Sequence, residues 1–285
     1  MLVSIGIPFY NNESTLADAI RSVFAQTCQE WELILVDDGS FDKSLDIAKA
    51  VKDPRVRVIS DGLNKGLSNR LNQITTLASG KYIARMDADD LMHPYRIKQQ
   101  VEYLDAHPDV DLLGTGIYSI NSLNEIVGSR GLNHINTASD AVLRRGLFIH
   151  PSVTGRAKWF RENTYSEQYI RAEDYELWLR TSNKSKFRSI QSALMFYREE
   201  QTNIKKYLKS NKCQRKIIWN YGPKIVGYLN TTLLIFLSHL KGFIYSLFTL
   251  IGKQNWLINK RNSQLSEEER KSAERILNQI LTTQI

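Results

Sequence analysis

Cysteine is almost missing from these 285 residues: Cys28 and Cys213 stand far apart and outside any CxxC pair. That excludes a disulfide framework and a thiolate zinc site, and it fits a reducing compartment such as the cytoplasm. A G-x-x-x-x-G-K-[ST] phosphate loop is also missing, which argues against P-loop nucleotidyl chemistry. Internal repeats and low-complexity tracts are lacking too. No basic leader precedes the first apolar run, so no secretory signal is expected and functional residues are expected to begin almost at once. A clean run of about 20 apolar residues, the length a spanning helix needs, is absent as well. Residues 225–251 come nearest, but Asn230, His239 and Lys241 break them, so an amphipathic helix pair lying in the membrane plane is expected over a spanning helix.

What remains is the composition of a folded protein, 42% hydrophobic and 24% charged, long enough for one core with an appendage. The net charge of +8 is uneven. Between Arg198 and Arg261 about 12 basic residues face only Glu199 and Glu200, whereas the first two thirds are close to neutral. Charge alone suits nucleic acid, phosphorylated substrates or anionic lipid. Its position makes polyanion affinity a property of the tail and sets a boundary near residue 199. Lys205, Lys206, Lys209, Lys212, Arg215, Lys216 and Lys224 precede the apolar segment. Beside an amphipathic helix such a cluster binds anionic membrane with about 1 kcal/mol per basic residue. The alternative is a helix pair packed on the main domain with a solvated basic face.

Residues 2–9, LVSIGIPF, read as a buried strand, and Ser14 or Thr15 can cap a helix carrying Leu16, Ala19, Ile20 and Val23 on one face. A second strand, Trp31 to Val36, stops at Asp37-Asp38-Gly39-Ser40. The alternation continues with a helix at about 41–51, a strand at 56–60, a helix at 67–78 and a strand at 80–86, then a helix after Pro94 and a strand at 110–116. Such repeats predict an α/β fold with a mostly parallel sheet flanked by helices. In these sheets ligands lie beyond the carboxyl ends of the strands. From 117 to 200 the pattern is mixed, with a helix at 173–182 and a strand at 193–198. The stretch SEEERKSAERILNQIL reads as a polar helix capped by Ser266 with Glu269 three residues on.

Two acidic turns fall at strand ends. Asp87, Asp89 and Asp90 present several hard oxygens within one tight turn, a donor set suited to Mn²⁺ or Mg²⁺ that could neutralise a departing diphosphate. The bland alternative is a solvated turn or a helix cap, and the second acidic turn at Asp37-Asp38 weighs against it.

At these positions the chain resembles the inverting glycosyltransferase family 2, whose nucleotide-sugar domain has the GT-A fold. The matching words are IPFYNNE (7–13), VDDGSFD (36–42), NKG (64–66), Asn72, YIARMDADD (82–90), PYRIKQQ (94–100), HPS (150–152) and EDYELWLR (173–180). They follow the family order over about 200 residues. The resemblance implies that Pro8, Tyr10 and Glu13 hold uracil and ribose, that Asp38 reads the base edge, and that Asn64 and Gly66 form a loop beside the nucleotide. It implies further that Asp87 faces the ribose, that Asp89 is the metal ligand, and that Asp90 either assists or only caps the next helix. Many relatives carry an arginine one place after Arg70, where this chain has Leu71, so the resemblance does not carry a phosphate or base contact over to Arg70.

Asp174 matches the general base that takes the acceptor proton, and Glu173 either orients it, binds the acceptor, or simply favours a helix start. His150 completes the metal shell, lies near the acceptor, or is structural. Trp178 and Arg180 read as packing and surface pairing; Trp159, Tyr165 and Tyr169 read either as an acceptor-stacking set or as core. The implied division is a catalytic domain at 1–199, with a nucleotide-sugar half (1–116) and an acceptor half (117–199), and a helical membrane-associating tail at 200–285.

The implied reaction moves a hexose, glucose or galactose in the branch that reads IARMDADD, from a UDP-sugar to an undecaprenyl diphosphate-linked saccharide of an O-antigen or capsule. It would occur at the cytoplasmic face of a bacterial inner membrane, on a peripherally bound enzyme, with no nucleic-acid partner. The rival readings are a non-catalytic nucleotide- or polyanion-binding module and a nucleotide-sugar hydrolase. A module without chemistry has no need of Asp174.

Overall fold

Val3–Phe9 (β1) and Trp31–Asp37 (β2) are buried along their whole length, as strands must be when helices cover both faces of a sheet. In the computed structural model, which describes residues 2–199, 204–252 and 261–285, they sit at the centre of a parallel unit. Val56–Ser60 (β3) flanks β2, and Tyr82–Arg85 (β4) flanks β1 on the other side. Leu16–Phe24 (α1), Ser44–Ala50 (α2) and Leu67–Leu77 (α3) make the crossovers. Thr15 is the residue before α1, as expected, but its hydroxyl makes no capping bond and has no partner.

Beyond β4 the sheet becomes mixed. Leu91–Met92 (β5), Leu112–Ile120 (β6), Ile126–Arg130 (β7), Thr154–Arg156 (β8) and Phe187–Arg198 (β9) complete it, with strand order β3-β2-β1-β4-β8-β6-β9-β5 and β7 paired to β6. β8 runs antiparallel to both β4 and β6. The parallel character expected from the sequence therefore holds through four strands and is broken by a three-residue insert. Arg96–Ala106 (α4), Ser139–Arg145 (α5), Ala157–Glu162 (α6) and Glu173–Thr181 (α7) surround this half, and a single 3-10 turn covers His150–Ser152.

The tail contributes two different things. Ile204–Leu250 (α8) is helical except at Gly227, whose φ of 79° breaks it in two. Gly222 meets Thr231, Arg215 reaches Ser238, and Tyr207 stacks on Tyr245 at 4.3 Å, so the two arms fold back on each other as an antiparallel hairpin. The first arm docks on α7 and its approach: Tyr221 Oη donates to Glu176 Oε1 at 2.7 Å, Asn220 donates to Tyr169 Oη at 3.0 Å, and Ile217 and Ile218 join the core. The second arm faces outward with Leu229, Leu233, Phe236, Leu240, Phe243, Leu247 and Leu250 exposed at alternating spacings of four and three. Glu267–Leu281 (α9) carries the expected capping box at Ser266 and Glu269. It packs Ala273, Leu277 and Ile280 against Leu91, Ile120, Ile126 and Phe196, so this part of the tail closes the far side of the core. Glu200, counted in the basic stretch, lies outside the described residues.

Candidate active site

The carboxyl ends of β2, β1 and β4 emerge side by side, since Phe9 is in register with Asp37 and Gly6 with Arg85. Neighbouring strands lie about 4.8 Å apart, so the two acidic turns flank β1 at about 10 Å from each other. This is the position where a doubly wound sheet receives a ligand.

At the end of β4 the chain turns sharply, with Asp90 N–H donating to the Asp87 carbonyl at 3.3 Å. Ligand oxygens of Asp87, Asp89 and Asp90 come within 4.8 Å of one another. Asp87 is gripped by Arg85 through two bonds, 2.9 and 2.6 Å. Asp90 is 1% exposed and accepts the Arg198 backbone N–H at 2.9 Å, while Arg198 Nε donates to the Asp89 carbonyl at 2.9 Å. The second Asp90 oxygen is buried with no partner, and burial, then the charges of Asp89 and Asp87, push its carboxyl well above the usual range. A hard dication would satisfy that oxygen and offset the repulsion among three acids, so the donor set fits Mn²⁺ or Mg²⁺. The helix-cap alternative for Asp90 is corrected here: α4 starts only at Arg96, with Tyr95 before it.

Beneath the turn lies Arg96, wholly buried, donating to the Arg85 carbonyl at 2.9 Å and to Gln100 at 3.0 Å. Desolvation lowers its pKa to about 9. Its charge and that of Arg85 stand behind the acids.

On the β2 side, Asp38 accepts from Lys65 N–H (2.7 Å), from Gly66 N–H (3.1 Å) and from Arg70 Nε (2.8 Å). Arg70 is fully buried and also pairs with Asp61 at 2.6 Å. Arg70, to which the family pattern carries no phosphate or base contact, holds Asp38 and the loop at 61–66 together, while Leu71 turns into the core. Gly66 adopts φ 83°, a left-handed conformation that lets its N–H turn toward Asp38. Asn64 is exposed on the rim of that loop.

Loops 10–13 and 40–44 are laced together. Asn11 N–H donates to Ser40 Oγ (3.1 Å), Phe41 N–H to Asn11 Oδ1 (3.0 Å), and Lys43 N–H to Glu13 Oε2 (3.1 Å). Tyr10, 44% exposed, stands edge-on to Phe41, 83% exposed, with ring centroids 6.0 Å apart. Phe41 was not singled out in sequence, though a large apolar side chain in a polar turn was a usable signal. Pro8 sits lower, buried in the sheet beside Val36.

Glu173 and Asp174 occupy the first turn of α7, as expected, with Ala172 at the N-cap. Glu173 is buried; Asp174 keeps part of its surface open. Burial pushes the Asp174 carboxyl up, while the Tyr175 backbone N–H and the Arg85 guanidinium pull it down and Asp87 adds to the rise. Burial and then the Asp174 charge push Glu173 up. Arg85 is thus within electrostatic reach of both the acidic turn and the start of α7. His150 Nε2 is engaged with Tyr165 Oη at 2.9 Å, and burial holds its imidazole neutral, well below the usual range. It is not part of the carboxylate cluster among the described residues. Trp159, Tyr165 and Trp178 are buried, with Trp159 Nε1 donating to Ser185; Arg180 pairs with Glu176 at 2.8 Å.

Besides Phe41, three site-building residues escaped the sequence reading: Arg85, Arg96 and Arg198. Arg85 offered a signal, a cation inside an otherwise apolar strand. Arg198 is brought to Asp89 across 109 positions by the pairing of β5 with β9, for which no local signal exists.

Residues 4–168 match the family described as Glycosyl transferase family 2. The chain is 36% identical over 214 residues to a putative glycosyltransferase, EpsE, of Bacillus subtilis, covering 72% of this chain and 75% of that protein. It is 28% identical over 269 residues to the UDP-Glc:alpha-D-GlcNAc-diphosphoundecaprenol beta-1,3-glucosyltransferase WfaP of Escherichia coli, covering 89% and 99%. The fold matches the crystal structure of S. aureus TarS 1-349 in complex with UDP-GlcNAc with a TM-score of 0.64, at 17% identity, over 82% of this chain and 70% of that one.

Proposed function

Because the chain belongs to glycosyl transferase family 2 and is a glycosyltransferase, we propose that it transfers a hexose from a UDP-sugar, with inversion, to a saccharide carried on a lipid diphosphate. The observation that supports this reading is the buried Arg85, which pairs with Asp87 in the turn Asp87–Asp90 and whose charge also acts on Glu173 and Asp174 from a distant part of the chain.

In this reading the nucleotide lies over the ends of β1 and β2. Tyr10 and Phe41 flank the base, Asp38 presents its edge-reading carboxylate from a position fixed by Arg70, and Pro8 shapes the strand end beneath. Glu13 and Asp87 receive the ribose hydroxyls, and Asn64 borders the pocket. Asp89, with Asp90 and Asp87, would hold Mn²⁺ or Mg²⁺, which when bound supplies positive charge toward the diphosphate. Asp174 accepts the proton of the attacking hydroxyl; the freed oxygen forms the bond to the anomeric carbon from the face opposite the diphosphate, which leaves with its electron pair as UDP. Glu173 orients the acceptor, and His150 with Tyr165 forms the floor beneath it.

The WfaP name supplies the finer choice: glucose as donor sugar and N-acetylglucosamine on diphosphoundecaprenol as acceptor. The exposed apolar stripe of the second α8 arm and the basic residues of the first suit an enzyme lying on the cytoplasmic face of an inner membrane, as a tail distinct from the catalytic residues 1–199. The test is a screen of UDP release across nucleotide sugars, with Mn²⁺ and a synthetic lipid diphosphate–GlcNAc acceptor. UDP-glucose or UDP-galactose is expected to be turned over only with acceptor present. Equal release without acceptor would favour a hydrolase.

A further inference from the structure

Beside Asp174, and lined by no residue of the two acidic turns, lies a partly open cavity of about 800 Å³. That is within the range of about 300–1,000 Å³ typical of ligand sites. Asp174 and Trp178 of α7 border it, and the indole N–H of Trp178 is buried without an acceptor. The opposite wall is the α8 hairpin: Gln214 and Ile218 from the first arm, Leu234, Leu237, Ser238 and Lys241 from the second. Those second-arm positions follow a helical repeat, so one face of the arm is given to the cavity while the neighbouring face carries the exposed stripe of Leu233, Phe236 and Leu240. Leu237 belongs to both, lining the cavity and remaining exposed.

Three cations face this space: Arg144 and Arg145 at the end of α5, and Lys241 from the hairpin. None forms an ion pair with a described acid. A helix C-terminus favours arginines by itself, which accounts for the first two. It does not account for a lysine brought by another element, 96 positions along the chain from Arg145, to the same cavity, where Asp174 is the one acid among the described lining residues against three cations.

We propose that this cavity is the acceptor passage, in which Arg144, Arg145 and Lys241 hold the diphosphate of a lipid-linked saccharide. The saccharide end points to Asp174, and the prenyl chain leaves past Leu237 onto the apolar stripe. The inference rests on the transferase reading and adds the residues that select a diphosphate-bearing acceptor. It also gives the hairpin a second task, as one wall of the site. The same chemistry, a diphosphate, occurs in the donor, so the test separates the two.

The full chain in detergent micelles is titrated with a fluorescent farnesyl diphosphate–GlcNAc probe, with its diphosphate-free farnesyl GlcNAc counterpart, and separately with UDP. The combined variant Arg144→Gln, Arg145→Gln, Lys241→Gln is expected to bind the diphosphate probe about tenfold or more weakly, the loss expected for removing several modest charge contacts. Its affinity for the diphosphate-free probe and for UDP should be unchanged. Ser238→Trp, which fills the cavity and leaves the charges in place, should weaken both lipid probes. Unchanged binding of the diphosphate probe, an equal loss for both lipid probes in the charge variant, or absence of probe binding in the wild type would overturn the proposal; a matching loss of UDP affinity would assign the cations to the donor and overturn it likewise. Binding is read without turnover, so failure of the protein to use UDP-glucose would count against the transferase reading and leave this result standing.

Discussion

Arg85 grips Asp87 with both terminal guanidinium nitrogens, at 2.9 and 2.6 Å, from a position two residues earlier at the end of β4. The pairing orients the first carboxylate of the acidic turn and supplies a buried cation whose charge also acts on Asp174. Arg85 acts through other residues, so its removal should appear in metal affinity first. Arg85→Gln is expected to raise the Mn²⁺ concentration needed for half-maximal activity by about 10- to 100-fold, the usual cost of losing a group that orients a ligand. Manganese titration of activity checks this, and partial recovery in Arg85→Lys would separate orientation from simple unfolding.

Asp174→Asn is expected to lower transfer by about 10²- to 10⁴-fold, the range for loss of a general base, and yet not to destabilise the protein. Burial raises the folded-state pKa of this carboxyl. The folded chain therefore binds a proton more readily than the unfolded chain, and ionising Asp174 costs stability as pH rises through the window between the two values. That cost is absent below the unfolded aspartate pKa and full above the folded value, so the amide should be the more stable form at neutral pH and lose that advantage at acid pH. Melting curves at neutral and acid pH test the sign. The same shift places the acid limb of the kcat/KM profile above the ordinary aspartate range, and removal of the Arg85 charge should move it higher.

Arg70 is fully buried and bonded to Asp38 and Asp61. Arg70→Met leaves the Asp38 carboxylate without its cation and frees the 61–66 loop. A loss of about 3 kcal/mol of stability is expected, with weaker UDP binding. Denaturant melts and UDP titration measure the two effects, and unchanged UDP affinity would detach this cluster from the nucleotide.

How much of this was readable beforehand follows the range of each interaction. Branched apolar runs such as Val3–Phe9, and acids placed where such runs stop, are local signals, so the parallel half of the sheet, the acidic turns and the start of α7 were legible. β8 was not, because three residues carry no period and its direction is set by neighbours at Tyr82–Ala84 and Leu112–Leu113. The helix pair expected within 225–251 is instead one arm, because the chain turns at Gly227, near Pro223, and the other arm is the basic stretch from Ile204. The one-residue offset of Arg70 from the family pattern puts in question only a direct phosphate or base contact, and on a helix that offset still leaves a long guanidinium within reach of the end of β2.

Phe236 and Phe243 are both exposed on the second arm of α8. Exchanging both for glutamate removes about 1.5–3 kcal/mol of transferable apolar surface each and adds repulsion from anionic lipid. Sedimentation with anionic vesicles should fall about tenfold or more. Wild-type binding should weaken as salt rises, and equal recovery with neutral vesicles would contradict the electrostatic contribution of the first arm.

The central claim is that the acids at the ends of β2 and β4 and at the start of α7 serve one inverting transfer. The most direct measurement is the anomeric configuration of the product, by proton NMR, after reaction of α-linked UDP-glucose with a lipid diphosphate–GlcNAc acceptor. The account predicts a β-linked glucoside from the wild type and none from Asp174→Asn. An α-linked product, or a β-linked product formed at the wild-type rate by Asp174→Asn, would contradict it.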